Sequence, residues 1–313
     1  MSPVETAKAV PASQATHTVV ELEEGVFACV QPDGGWCLSN AGLLIGRSGT
    51  VLVDTAATER RAQALLETVR TLSPRPVGVL VNTHSHGDHS FGNALFAGEA
   101  TVVAHERAAA EIAEFGPALQ QLWPQVDWGR IEISPPTVTF RDRLALPDAG
   151  FPVELLHFGP GHTPGDAVVW LPEQRVLYAG DLVFSGATPF VLMGTVTGTL
   201  RLLDRLRALE PLTVVPGHGP VGGPELLDAN ADYLRWIRDL ARRGSADGVT
   251  PSELAREVSL GRFADLLDSE RLVPNLIRAY AEDAGLAEAA PIDVVAAFGE
   301  MVAYNGGLPH CSA

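Results

Sequence analysis

The chain has 313 residues, 46% of them hydrophobic, so it can bury a substantial core as one large domain or one domain with an appended piece. Its formal net charge of −16 repels phosphate backbones and anionic lipid headgroups, which argues against nucleic acid or a membrane surface as a partner. Three cysteines without a C-x-x-C pair form no disulfide framework and suit a reducing compartment. The N-terminal residues lack a signal-like apolar core, so we expect a cytoplasmic protein.

The first half of the chain alternates between unstructured, strand-like and helical patterns. Residues 1–17 are rich in Ala, Pro, Ser and Thr without periodicity, which predicts a disordered N-terminal arm. Apolar positions at helical spacing predict a helix over residues 57–72. Alternating or continuous apolar runs predict strands over residues 18–30, 37–45, 50–54 and 77–82.

The second half repeats this logic. Strands are predicted over residues 153–158, 167–171, 175–180 and 212–217, with an amphipathic helix over residues 197–209. Two strand-rich halves that each carry helices bury their apolar faces best as an α/β fold, an αββα four-layer sandwich. We therefore predict such a domain over residues 18–225.

After about residue 225 the pattern is helical, which predicts a C-terminal helical subdomain over residues 226–313. The first helix is predicted to end at Gly244 as its C-cap, and a capping box beginning at Thr250 starts the next. Two more helices are predicted at about residues 269–284 and 291–304, the first distorted at Pro274. Three roles are compatible with this region: it packs against the domain, forms a pocket wall or makes a dimer contact.

The strongest chemical signal is HSHGDH, which places four potential metal ligands within six residues after a buried strand: His84, His86, Asp88 and His89. Zinc takes imidazole and carboxylate donors at roughly 2.0–2.2 Å, and Gly87 gives the loop the freedom to direct them. A histidine-rich surface turn without a metal is the alternative. So many ligands in so short a segment disfavour it.

Three single candidates follow where strands run into turns. His162 lies in GHTPGD, Asp181 follows VLYAG, and His218 lies in PGHG. Each would be weak alone, because a lone histidine is more often structural than a ligand. Their shared placement at strand ends favours a common site. The remaining histidines lack this placement and are expected to be structural: His17, His105, His157 and His310.

In this order the four motifs resemble the metallo-β-lactamase superfamily over residues 18–220. The resemblance implies two zinc ions per chain, with Asp181 bridging, Asp88 and Asp181 assisting a metal-bound hydroxide, and Asp54 orienting the ligands from outside. An Asp at position 181 resembles the glyoxalase-II and thioesterase side of the superfamily. Mixed His and Asp ligands leave iron or manganese open. The implied ligands of the first zinc are His84, His86 and His162, and those of the second are Asp88, His89 and His218.

A finer resemblance lies outside these motifs, in residues 34–42, 122–129 and 135–144 and in AYNGGLP with Cys311. These segments resemble the second-ring cyclases of type II aromatic polyketide biosynthesis, of the actinorhodin type. The resemblance implies a zinc-dependent cyclase/thioesterase that closes the second ring by aldol condensation. It would then hydrolyse the thioester bond that joins the product to an acyl carrier protein. The sequence is compatible with a homo-oligomer as well as a monomer.

Two rival interpretations share the same ligands. One is a generic zinc metallohydrolase (a thioesterase, lactonase or glyoxalase-II-like enzyme) acting on a small substrate. The other is a metal-binding protein without catalysis, which the complete ligand set disfavours. Carrier docking would need a basic patch, although solvated helix faces are the simpler interpretation of Arg201, Arg205, Arg207, Arg235, Arg238, Arg242 and Arg243. Core packing is likewise favoured over a pocket lining for Trp36, Trp123, Trp128, Phe151 and Phe190.

Overall fold

The computed structural model describes residues 9–10, 16–146 and 150–313. Its strands are β1 (Ala9–Val10), β2 (Thr18–Glu23), β3 (Val26–Val30), β4 (Ala41–Ile45), β5 (Thr50–Val53), β6 (Val79–Val81), β7 (Thr101–His105), β8 (Val138–Phe140), β9 (Arg143–Leu146), β10 (Val153–Leu156), β11 (Val168–Leu171), β12 (Val176–Phe184) and β13 (Thr213–His218). Its α-helices are α1 (Glu59–Leu72), α2 (Gly87–Ser90), α3 (Glu106–Phe115), α4 (Val196–Ala208), α5 (Glu225–Asp247), α6 (Pro251–Glu257), α7 (Leu272–Asp283) and α8 (Val294–Asn305).

The strands form two sheets. The first runs in sequence order from β1 to β8, with antiparallel neighbours up to β5 and parallel neighbours from β5 onward. The second has the order β13-β12-β11-β10-β9, and only its β12–β13 pair is parallel. Parallel neighbours bring their carboxyl ends to one edge of a sheet, which is where open α/β sheets bind ligands. Both sheets therefore offer strand ends from which a site can be built.

Three apolar layers hold these elements together. Between the sheets, Val53 and Val81 pack with Val169 and Tyr178. The outer face of the first sheet packs on α1, and the outer face of the second sheet packs on α4, α5, α7 and α8. Burying a large apolar side chain stabilises the fold by about 1.5–3 kcal/mol. The predicted αββα sandwich is confirmed, and the C-terminal helices share a core with the second sheet.

Local signals set the starts of two helices. Thr58 caps α1, because its side chain accepts a hydrogen bond from the Arg61 amide. Thr250 and Glu253 form the predicted capping box at the start of α6. Both are short-range effects, so the sequence alone is sufficient to find them.

Two predictions in the helical region are wrong, for reasons of packing. Helix α5 does not end at Gly244 but continues to Asp247 and ends at Gly248, which has a φ of 72°. A side chain at Gly244 would overlap the Tyr280 hydroxyl, so glycine is needed there for close approach. Pro274 does not distort α7, because it lies in the first turn, where no backbone N–H is required.

The predicted arm over residues 1–17 falls largely outside the described residues. Within the described part, Ala9–Val10 pairs with Val19 and Val20, and His17 is buried with its Nε2 atom 2.9 Å from the Thr68 hydroxyl. The domain boundary near residue 225 stays a prediction. Among the described residues, no helix has the length and apolar character needed to cross a bilayer.

Side chains of the C-terminal helices also bind the backbone of residues 188–192, which lie in the outer layer of the second sheet. Asn275 in α7 donates to the carbonyl of Pro189 at 2.7 Å and accepts from the amide of Val191 at 3.0 Å. Arg271 and Arg278 lie on the same helical face and donate to the carbonyls of Thr188 and Leu192. Residues 188–192 have no regular secondary structure, so α7 satisfies backbone groups that no strand partner reaches.

We expect Asn275→Leu to lower the free energy of unfolding by about 2–4 kcal/mol, because it leaves two buried backbone groups unpaired. Urea unfolding followed by circular dichroism measures this difference. Asn305→Leu is the matched control, since Asn305 is exposed at the end of α8 and should change stability by less than ~0.5 kcal/mol. Equal effects of the two substitutions would contradict the role of α7.

Candidate metal centre

All seven predicted ligands lie where strand ends of the two sheets meet. His84 follows β6, and Asp88 and His89 lie on α2 directly after it. His162 lies in the turn between β10 and β11, while His218 is the last residue of β13. Asp181 lies within β12, which continues past the predicted end at residue 180 to Phe184 with an irregular register.

These side chains form two groups. Within each group, one candidate ligand atom per residue lies within 4.8 Å of the others: His84, His86, His162 and Asp181 in the first group, and Asp88, His89 and His218 in the second. Asp181 also faces the second group. Its Oδ1 atom is 3.0 Å from His89 Nε2, and its Oδ2 atom is 3.4 Å from the Nε2 atoms of both His162 and His218. The structure thus places Asp181 between the groups.

Outer hydrogen bonds orient the imidazoles. Nδ1 of His89 lies 2.9 Å from the Asp54 carboxylate, Nδ1 of His162 faces the carbonyl of Phe190, and Nδ1 of His218 lies 3.2 Å from the carbonyl of Gly35. A carbonyl or carboxylate can only accept, so each Nδ1 carries a proton and Nε2 is the atom left for a metal. All three Nε2 atoms point into the centre.

Asp54 organises ligands of both groups. Its Oδ2 atom contacts His89 directly and accepts from the Thr83 hydroxyl at 2.6 Å. The same hydroxyl lies 3.1 Å from Nδ1 of His84 and accepts a hydrogen bond from it. The Thr83 amide donates to Oδ1 at 2.7 Å, which fixes the carboxylate at the end of β5. The position predicted for a ligand-orienting carboxylate therefore has the contacts such a role requires.

Several inward-facing atoms lack partners, which is the pattern a bound cation would satisfy. Nε2 of His84 is buried without a hydrogen-bond partner among the described residues, and Nε2 of His89 and Oδ1 of Asp181 have only each other, at 3.0 Å. Nδ1 of His86 and Nε2 of His162 face each other at 2.9 Å. Buried polar atoms are costly when unpaired, and nitrogen and oxygen donors of this kind suit zinc. The residues present fit a divalent metal.

The first group is held in its ligating state by burial. Burial lowers the pKa values of His84 and His162 below the ordinary range and lowers the pKa of His86 to about 3. Asp181 partly opposes this effect at all three residues but does not outweigh it. These imidazoles are therefore neutral at physiological pH, as metal ligation requires.

The second group has the opposite balance. Burial disfavours a charged His218, but Asp181 and Asp88 outweigh it and raise the pKa of His218 to about 9. His89 likewise has a raised pKa, because Asp181 and Asp54 outweigh burial. Burial also disfavours ionised Asp88, yet His89 and His218 bring its pKa to about 2. Without a metal, protons compensate the carboxylates of this group.

The loop of residues 34–40 supports the second group, although none of its residues was predicted individually to do so. Asn40 donates to the carbonyls of Pro216 and Gly219, on either side of His218, at 2.9 and 2.7 Å. Ser39 donates from its hydroxyl to the carbonyl of Asp88 at 2.6 Å. The sequence marks this segment only by resemblance. No local pattern reveals partners some 50 to 180 residues away.

The other predicted features lie away from the ligand set. His105 and His157 stack on each other with ring centroids 3.8 Å apart, and His310 contacts Ser312 at an exposed position. Trp36, Trp123, Trp128 and Phe190 are buried in the core outside the second sheet, whereas Phe151 packs between the sheets. Several of the predicted basic residues face acids, Arg201 with Glu288, Arg207 with Asp228 and Arg235 with Asp232.

Comparison with known proteins agrees with this geometry. The model of the metallo-β-lactamase superfamily matches residues 34–218, which is more than half of the chain and spans every candidate ligand. The chain belongs to the metallo-β-lactamase superfamily. Its two-sheet architecture resembles the crystal structure of the DIM-1 metallo-β-lactamase with a TM-score of 0.58 at 21% identity, covering 73% of this chain and 99% of that one.

Relatives within the superfamily differ in activity. A linear primary-alkylsulfatase of a Pseudomonas species is 30% identical over 68% of this chain and 48% of its own length. A type 2 metallo-β-lactamase of Bacteroides fragilis is 25% identical over 67% of this chain and 82% of its own. A hydroxyacylglutathione hydrolase of a Synechococcus species is 31% identical over 49% of this chain and 53% of its own. The chain spans about half the length of the alkylsulfatase and of a 2,4-dinitroanisole O-demethylase subunit.

We expect Asp54→Asn to weaken zinc binding at both groups by roughly 10–100-fold, because the amide has one acceptor oxygen where the carboxylate uses two to accept from His89 and from the hydroxyl and amide of Thr83. Competition with a chromophoric chelator measures both affinities. Asp204→Asn, at an exposed position of α4, is the control and should bind zinc like the parent protein. Loss confined to one group would show that Asp54 does not serve both.

We expect zinc binding at neutral pH to release protons. In the metal-free protein His218, with a pKa of about 9, and His89, with a raised pKa, carry protons that zinc must displace. Affinity should therefore increase with pH until the pKa of His218 is passed. Titration calorimetry in buffers of different ionisation enthalpy measures the released protons, and a heat independent of the buffer would contradict this assignment.

Proposed function

We propose that this chain is a zinc-dependent hydrolase of small thioesters or esters. The observation that carries the proposal is the position of Asp181 between two groups of buried donors, at 3.0 Å from His89 and 3.4 Å from His162 and His218. One carboxylate at that point can serve two ions at once. Superfamily membership supports hydrolysis as the reaction type, and the two carboxylates predicted to be catalytic, Asp88 and Asp181, both lie in the centre.

A pair of zinc ions, when bound, lowers the pKa of water toward neutrality and polarises a substrate carbonyl. The ligands of such a pair would be the two groups described above, with Asp181 shared. Mixed donors of this kind also accept other divalent metals, so zinc is the metal we propose and the test includes alternatives.

Side chains and backbone groups of the protein position the water and the ligands. Asp181 and Asp88 have pKa values held low by neighbouring imidazoles, so both are ionised and can accept hydrogen bonds from an attacking water. Asp54, the Phe190 carbonyl and the Gly35 carbonyl keep the imidazoles fixed during turnover. Of the seven candidate ligands only His86 is partly exposed, so substrate would approach from its side.

The relatives support a small ester-like substrate. The hydroxyacylglutathione hydrolase acts, by its name, on a thioester, and the alkylsulfatase on a sulfate ester. Aspartate at position 181 resembles the thioesterase side of the superfamily. A carbonyl thioester is therefore the first substrate class to test, and a sulfate ester the second.

A second candidate is the cyclase/thioesterase acting on a polyketide tethered to an acyl carrier protein. One observation favours it: the segments that carry this resemblance pack together beside the centre. The Trp36 and Trp123 rings lie 5.3 Å apart, Trp123 donates to the carbonyl of Pro309, and Trp36 contacts Phe190, whose carbonyl faces His162. Known relatives favour the simpler hydrolase, which therefore comes first.

We expect Asp181→Asn to lose bound zinc and to lower kcat/KM for an aryl thioester by at least ~100-fold, because neither ion keeps its shared ligand. Metal analysis and thioester hydrolysis are measured on the same preparations, reconstituted in parallel with zinc, manganese and iron. Asp204→Asn is the matched control and should retain both.

The substrate panel separates the candidates. Turnover of small thioesters without a carrier supports the hydrolase. Turnover only of a carrier-bound polyketide, with a new ring in the product, would transfer the assignment to the cyclase. Full activity of Asp181→Asn without metal would overturn both.

A further inference from the structure

Two cysteines from distant parts of the sequence meet beside the metal centre. Cys311 donates from Sγ to the carbonyl of Trp36 at 3.4 Å, so its sulfur lies against the peptide bond that leads into Cys37. Each thiol is also the neighbour that most strongly shifts the pKa of the other. Cys37 is buried and Cys311 is partly exposed, so solvent reaches the pair from the Cys311 side.

The pair has unequal chemistry. The interaction with Cys37, with smaller contributions from the backbone of Ala313 and from Arg61, lowers the pKa of the Cys311 thiol despite partial burial. The same interaction and burial raise the pKa of the Cys37 thiol. Cys311 is thus the nucleophile of the pair. Cys29 lies apart in the core on the outer face of the first sheet, where burial raises its pKa to about 12 and leaves it inert.

Cys37 belongs to the loop that supports the second ligand group. Within residues 34–40, Gly35 accepts from His218 through its carbonyl, and Ser39 donates to the carbonyl of Asp88. Cys37 lies between these two contacts and has a φ of 62°, a conformation that leaves a non-glycine residue little freedom to adjust. Movement of its sulfur is therefore transmitted to the loop.

The segment that carries Cys311 is itself anchored. The Trp123 indole donates to the carbonyl of Pro309 at 2.8 Å, and Arg61 donates to the carbonyl of Ser312 at 2.7 Å. These two bonds flank Cys311. A covalent link to Cys37 would consequently pull the loop toward a fixed point.

We propose that Cys37 and Cys311 form a reversible disulfide under hydrogen peroxide, and that this bond loosens the group of Asp88, His89 and His218 through the loop of residues 34–40. The distance between the two sulfur atoms is shorter in a disulfide than in a non-bonded contact between two thiols. The metal part of the proposal rests on the proposed function, whereas disulfide formation does not.

The reaction balances with peroxide as the oxidant. The Cys311 thiolate attacks one peroxide oxygen, the O–O bond breaks, and the departing hydroxide takes a proton to become water. The Cys311 sulfenic acid is then attacked by the Cys37 sulfur. The S–S bond forms, the S–O bond breaks, and the Cys37 proton leaves with the hydroxyl as a second water. Two thiols are oxidised and one peroxide is reduced.

The test uses the zinc-loaded protein before and after peroxide, with a dithiol reductant added to half of each sample. Peptide mapping without reduction should find Cys37 linked to Cys311 and Cys29 free. Zinc transfer to a chromophoric chelator should become about tenfold faster for one of the two ions, and reductant should restore the slow rate. The mapping is repeated on metal-free protein, so that a missing metal site does not obscure the disulfide.

Variants complete the design. Cys311→Ser, at the partly exposed position, should abolish the link and the change in zinc release, and Cys37→Ser should do the same. Cys29→Ala should respond like the parent protein. Accelerated zinc release in Cys311→Ser, a disulfide without any change in release, or oxidation of Cys311 to sulfinic acid without a link would each overturn the proposal.

Discussion

The organisation of this protein depends on one electrostatic constraint: carboxylates and imidazoles that converge in a buried space need positive charge between them. Oδ1 of Asp181 faces Nε2 of His89 at 3.0 Å, and the pKa of Asp181 is low because four imidazoles outweigh the cost of burial. Protons supply the positive charge at His89 and His218, while burial keeps the first group neutral. A divalent ion in each group would replace those protons and satisfy the unpaired atoms, so protons and metal compete for one set of lone pairs.

The fold meets this constraint through its parallel strand pairs. Val53 pairs with Val81 at the ends of β5 and β6, which places Asp54 beside the segment that leads to His84. In the other sheet, the irregular parallel pairing of β12 with β13 brings Asp181 and His218 to the same edge. The first sheet alone would present four of the seven donors, and the second sheet three. The sandwich is therefore needed for the site as well as for the core.

The sequence could predict what depends on short-range pattern and not what depends on packing. HSHGDH, the turn around His162 and the capping box at Thr250 are local, and the layer order follows from where apolar runs lie. Glycine is needed at position 244 because of Tyr280, more than thirty residues away. Pro274 leaves α7 undistorted because the helix begins only two residues before it. The contacts of Asn40 and Asn275 join elements far apart in sequence. An isolated asparagine carries no sign of its partner, so these supports could be found only in three dimensions.

These long-range contacts hold the two ligand groups from different parts of the chain. The first group is held from outside through His162, whose partner Phe190 lies in the segment that Asn275, Arg271 and Arg278 fix from α7. The second group is held through His218 and Asp88, both bonded to the loop of residues 34–40. Asp181 contacts ligands of both groups directly, and Asp54 contacts His89 directly and His84 through Thr83. Trp36 of that loop contacts Phe190, so the two supports meet beside the centre. A change at Asp54 or Asp181 reaches both groups. The C-terminal helices thus act on the site through the backbone they hold, without supplying a ligand.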